Sequence, residues 1–137
     1  MADVSKDMKE FTLKFKLDDG FSLKRDLPYR INMIKEEVGE LDEAYKAYVE
    51  DPNTRKLVDI VDALIDQAYF VIGTIELMGL DFDAHWDEVH RANMSKVRGM
   101  KASRPDTRGF DMVKPTTWVG PEAGHHNILR NNPKVRW

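Results

Sequence analysis

The stretch 55–78, RKLVDIVDALIDQAYFVIGTIELM, constrains this chain more than any other. Leu57, Val58, Ile60, Val61, Leu64, Ile65, Ala68, Tyr69, Val71, Ile72, Ile75 and Leu77 cover most of the circumference of a helix. A helix that is apolar nearly all round is buried on most sides, as a central helix or at a subunit interface. Three aspartates, Asp59, Asp62 and Asp66, interrupt it at spacings of three and four and keep it from reading as a membrane span. Burying carboxylates without partners is expensive, so they call for protons, cationic neighbours or a metal ion.

A second acidic series lies upstream in EEVGELDE, which carries Glu36, Glu37, Glu40 and Glu43. On a helix Glu36 and Glu40, and Glu37 and Glu40, project to one side and repel by a few tenths of a kcal/mol per pair. Two helices with carboxylates on facing sides are what a hard divalent cation takes as ligands. Alone, an acidic EExxE cluster is most often a solvated face; three aspartates on an apolar helix are harder to dismiss. Structural salt bridges from Arg25, Arg30 or Lys35 are the competing explanation.

With 137 residues, the chain suits a single domain, a helical core over about 5–98 followed by a tail over about 99–137. It is 42% hydrophobic and 33% charged, which fits a globular protein. A net charge of -3 argues against a nucleic-acid partner. The absence of cysteine excludes disulfides and thiolate metal sites. The first residues lack an apolar signal core, so a cytoplasmic protein is expected.

Four helices are expected from periodicity. The first, 5–17, has Ser5 as N-cap and ends at Asp18-Asp19-Gly20. Phe11 and Phe15 on it suit core packing, with contact to a nucleobase the alternative. A connector, 20–28, leads to a helix over 29–49 with Pro28 at its start. Asn53 or Thr54 caps the third helix and Gly79 closes it. The fourth, 83–97, carries His90, Arg91, Asn93 and Lys96 and ends before Gly99. No confident strand is expected, and the tail reads as loops. His125-His126 lacks a third ligand and reads as ordinary tail rather than a zinc site.

Mg²⁺ binds through a few carboxylates plus substrate phosphates. Glu36, Glu37, Glu40, Asp62 and Asp66 suit more than one such ion, and Arg91, Asn93 and Lys96 suit phosphate oxygens. A carboxylate not used in coordination can orient or deprotonate water. The ensemble fits metal-dependent hydrolysis of a phosphoanhydride. Lys114 and Trp118 are weaker candidates for closing over the ligand.

The same residues resemble a family. EEVGE matches the EExxE signature of the all-α nucleoside triphosphate pyrophosphohydrolases, the superfamily of MazG, dimeric dUTPases and phosphoribosyl-ATP pyrophosphohydrolase. DQAYFVIGTIELMGLDFDAHWDEVHRANMSK resembles the MazG-like branch, and VKPTTW resembles its K-P-x-x-W piece. The resemblance spans about 11–118. It implies an all-α bundle of four to five helices with an irregular C-terminal tail, assembled as a homodimer or homotetramer. It implies Mg²⁺ or Mn²⁺, two or more ions per site, and cleavage of a (deoxy)nucleoside triphosphate to monophosphate and pyrophosphate. Carried over, Glu36, Glu37 and Glu40 match the first motif, Asp66 matches the aspartate of the second, and Asn93 and Lys96 match residues near the phosphates. With the reading of the residues themselves, Glu37, Glu40, Asp62 and Asp66 are expected to hold metal, with Glu36 a further ligand; Glu36 and Glu37 to act on water; Arg91, Asn93 and Lys96 to hold phosphate; and Phe11, Phe15, Lys114 and Trp118 to contact base or substrate. Where the family carries ExxD, the position three before Asp66 is Ala63, and Asp62 stands in from the next position. Among bases the lean is to a purine, dGTP or GTP, as in phage or bacterial nucleotide-pool enzymes. The alternatives are a dUTP or non-standard NTP hydrolase, or a helical module that binds nucleotide or metal without cleaving it.

Overall fold

The computed structural model describes residues 1–105, 108 and 111–137. Among these, five helices and one short antiparallel ladder occur: α1 (Val4–Phe15), α2 (Leu23–Glu50), α3 (Thr54–Leu77), α4 (Phe82–Met94), β1 (Val97–Arg98), β2 (Met112–Val113) and α5 (Glu122–Arg130). The all-α expectation holds. The chain divides into two compact units, one of Met1–Phe82 with Lys134–Trp137 and one of Asp83–Pro133.

In the first unit, residues 51–53 join α2 to α3, which pack along their lengths, and α1 packs on α3. Asn53 caps α3 through its side chain, which accepts from the Lys56 N–H at 3.0 Å. At the start of α1 the cap is Asp3, accepting from the Lys6 N–H at 3.1 Å, and the expected cap Ser5 is buried within the first turn. α1 stops when Lys16 turns left-handed at φ 51°. Met8, Ala63 and Leu77 form the buried core.

α2 begins earlier than the proline suggested, at Leu23 rather than residue 29, and Pro28 lies inside it. Two orphan N–H groups of its first turn are satisfied from far away. Leu23 donates to the Arg136 carbonyl at 2.9 Å and Lys24 to the Trp137 main-chain oxygen at 2.8 Å. Locally, Asp26 reaches back to the Ser22 N–H at 2.9 Å. The Arg25 guanidinium and that N–H hold the Asp26 carboxyl down at about 2. Arg136 also closes α3: its Nη1 donates to the Leu77 carbonyl at 2.9 Å and its backbone N–H to Met78 at 3.0 Å. Gly79, at φ +76°, lies against the Lys134 carbonyl, where a Cβ would collide.

In the second unit, α4 ends at Met94, three residues short of expectation. The Ser95 hydroxyl donates back to the Ala92 carbonyl at 2.7 Å, and Val97 then pairs with Val113, and Arg98 with Met112. Short helix α5 was not expected in a tail so rich in Pro, Gly, His and Asn. His85 and His125 bring α4 and α5 together, Nδ1 to Nδ1 at 2.8 Å. No helix among the described residues is long and apolar enough to cross a membrane.

Candidate active site

The acidic residues of α2 and α3 meet along the seam between the two helices. Glu37 faces Glu40 on its own helix and Asp66 and Asp62 across the seam. Its carboxyl is pushed up by desolvation first, then by the charges of Glu40 and Asp66, a hydrogen bond to Glu40, and Asp62. Glu37 Oε2 is buried without a hydrogen-bond partner among the described residues. The one-residue shift from ExxD therefore leaves Asp62 close enough to act on Glu37. Glu36 and Asp59 are exposed, and neither is among the charges that act on Glu37.

The competing salt-bridge explanation fails for all three of its cations. Arg25 pairs with Asp26 at 2.8 Å. Arg30, two helical turns before Glu37, donates to the Thr74 hydroxyl at 3.0 Å and to the Phe70 carbonyl at 3.1 Å. Gly73 leaves room for that guanidinium. Lys35 is exposed and makes no ion pair among the described residues. Glu37, Glu40, Asp62 and Asp66 thus form an acidic group without an ion-paired cation among the described residues. As placed, no three carboxylates or imidazoles among the described residues stand close enough to hold a metal ion. In donor type and charge the four oxygen-bearing side chains still suit a hard divalent cation, and the orphaned Glu37 oxygen is the atom such an ion would satisfy.

Phe11 packs against two other rings. Its ring centroid lies 4.9 Å from that of Phe15 and 5.2 Å, edge-on, from that of Tyr69. It borders a recess of about 270 Å³, partly open to solvent, which Arg30, Tyr69 and Gly73 also line. Arg30 was read from the sequence only as a salt-bridge partner. Its place on the acidic seam without a carboxylate of its own depends on Gly73 and Thr74, and no local pattern announces it.

The basic candidates lie in the second unit. Arg91 is committed to Glu88 at 3.2 Å and to the Gly120 carbonyl at 3.1 Å. Asn93 is exposed at the end of α4. Lys96 Nζ lies 5.6 Å and Lys114 Nζ 4.4 Å from the centre of the Trp118 ring. The indole N–H donates to the Ala92 carbonyl at 2.7 Å, which fixes the ring under α4.

An all-α chain with carboxylates gathered on two packed helices has the architecture of the MazG-like NTP pyrophosphohydrolase superfamily. A family model, phosphoribosyl-ATP pyrophosphohydrolase, matches residues 18–93, which include the whole acidic seam. The match covers more than half of the chain, and the chain belongs to that family. Comparison with curated proteins gives no significant match. Membership identifies the chain as a nucleotide pyrophosphohydrolase.

Proposed function

We propose that the chain hydrolyses a (deoxy)nucleoside triphosphate to monophosphate and pyrophosphate, with a purine such as dGTP or GTP as substrate. The observation that carries this is Glu37 Oε2, a buried oxygen without a hydrogen-bond partner among the described residues, on a carboxyl that feels the charges of Glu40, Asp66 and Asp62. Glu37, Glu40, Asp62 and Asp66 would hold Mg²⁺ or Mn²⁺, with Glu36 at the exposed edge. When bound, the metal neutralises charge on the phosphates. Water attacks the α phosphorus, the bond to the bridging oxygen breaks, and pyrophosphate leaves with the electron pair. Glu36 or Glu37 orients the water and takes its proton. Asn93 and Lys96 hold phosphate oxygens, while Arg91, engaged with Glu88 and Gly120, holds the loop beside them.

The family description favours a second substrate, phosphoribosyl-ATP. The chemistry at phosphorus would be the same, so substrate and reaction are tested together. Ordinary and non-standard NTPs, dUTP and phosphoribosyl-ATP are incubated with the protein, Mg²⁺ and ¹⁸O-water. The label entering the monophosphate supports attack at the α phosphorus; orthophosphate and a diphosphate as products would reject it. Metal-dependent binding with no cleavage of any of them would leave a non-catalytic nucleotide-binding module.

The active form is proposed to be a homodimer or homotetramer acting in the cytoplasm. Val58, Val61 and Ile65 of α3 are 58%, 52% and 61% exposed in the single chain, on the helix whose composition demands cover.

A further inference from the structure

Two lysines flank one end of the short ladder. Val97 pairs with Val113 and Arg98 with Met112, and Lys96 and Lys114 are the residues next to the Val97–Val113 end. Like charges brought close together repel. Neither lysine has a carboxylate within ion-pair distance among the described residues. The neighbouring carboxylates are used elsewhere: Asp111 by Arg104 at 3.0 Å and Glu88 by Arg91 at 3.2 Å. Glu122 lies against Gly120. Instead both ammonium groups lie over the one indole of Trp118, at 5.6 and 4.4 Å from its centre. The ring is pinned by its bond to Ala92. An aromatic face attracts a cation but leaves its N–H donors free for an acceptor. A lone lysine near the end of α4 would be explained by the helix dipole. That does not account for Lys114, which arrives from the other strand.

We infer that Lys96 and Lys114, positioned by Trp118, form a binding site for a diphosphate group. The inference deepens the hydrolase reading and rests on it for the source of the diphosphate, the substrate or the released pyrophosphate. It also moves Lys114 and Trp118 from base contact to phosphate contact.

The test is calorimetric titration of the full chain with inorganic pyrophosphate, free of divalent metal. The wild type is expected to bind, with affinity falling as salt is raised. Lys114→Ala should weaken binding about tenfold, the effect of losing one charge-assisted hydrogen bond, and Lys114→Arg should retain it. Pyrophosphate should raise the melting temperature of the wild type and not that of Lys114→Ala. Without pyrophosphate, Lys114→Ala should melt no lower than the wild type, since one of two like charges gathered at the Trp118 ring is gone. No binding by the wild type, or equal binding by Lys114→Ala, overturns the site. So does a Lys114→Ala variant that melts lower and binds normally, since the lysine then only packs on the indole. The titration reads no turnover, so a chain that fails to cleave nucleotides leaves this result standing. Equally, an active chain in which Lys114→Ala binds normally loses the site and keeps the reaction.

Discussion

Glu37 binds its proton more tightly in the folded chain than in the unfolded one, because desolvation and three neighbouring carboxylates oppose its charge. The folded state therefore holds more protons between the ordinary value near 4.5 and the raised one, and stability falls as pH rises through that window. Below it both states hold the proton and nothing is lost. Glu37→Gln removes the effect: metal-free, it should melt at or above the wild-type temperature near neutral pH, the gap closing below about pH 4.5. A variant that melts lower at neutral pH would contradict this. With Mg²⁺ and nucleotide the same substitution should cost about a hundredfold or more in turnover. Glu40→Gln and Asp66→Asn should abolish turnover while the far-ultraviolet circular dichroism stays helical; near-normal turnover in either would remove it from the site. Much of this was legible in the sequence, since EEVGE and the three aspartates named the residues that meet. That Glu36 and Asp59 are not among the charges acting on Glu37 was not, because spacing along one helix does not say which of several carboxylates faces the neighbouring helix. Arg30 escaped for the same reason, its partners Phe70 and Thr74 lying on another element.

At the scale of elements, periodicity located the first four helices and failed at their ends. α2 runs back past Pro28 because partners more than a hundred residues away complete its first turn. No reading of the flanking residues can see that. α4 stops short because Val97–Arg98 forms a ladder whose other strand is Met112–Val113. Arg136 is the joint between α2 and α3. Arg136→Ala, which strips the Glu76 and Leu77 carbonyls of their side-chain donor, should cost about 1–2 kcal/mol in denaturant unfolding. Gly79→Ala forces a side chain into positive φ and against Lys134 and should cost about 1–3 kcal/mol. Wild-type stability in either variant would show that the Lys134–Trp137 segment does not hold the first unit together.

For the whole molecule, the sequence called for cover over α3 and the single chain does not supply it: Leu64 is 49% and Ile65 61% exposed. Composition can demand burial but cannot say whether it comes from the same chain or another copy. If copies supply it, Ile65→Asp should shift the mass measured by light scattering to that of a monomer and lower the melting temperature. An unchanged mass would place the interface elsewhere. Mg²⁺ or Mn²⁺ should raise the melting temperature of the wild type, by binding the folded acidic seam and not the unfolded chain. Glu37→Gln and Asp66→Asn should blunt that rise.

The carbonyls that complete α2 have a consequence in time. Leu23 and Lys24 wait for Arg136 and Trp137, and at roughly 5–20 residues per second a ribosome needs on the order of 6–20 s to make the chain between them. Throughout that interval the helix that carries Glu37 has an open first turn. The acidic seam can form early, but its scaffold locks only after the second unit has emerged.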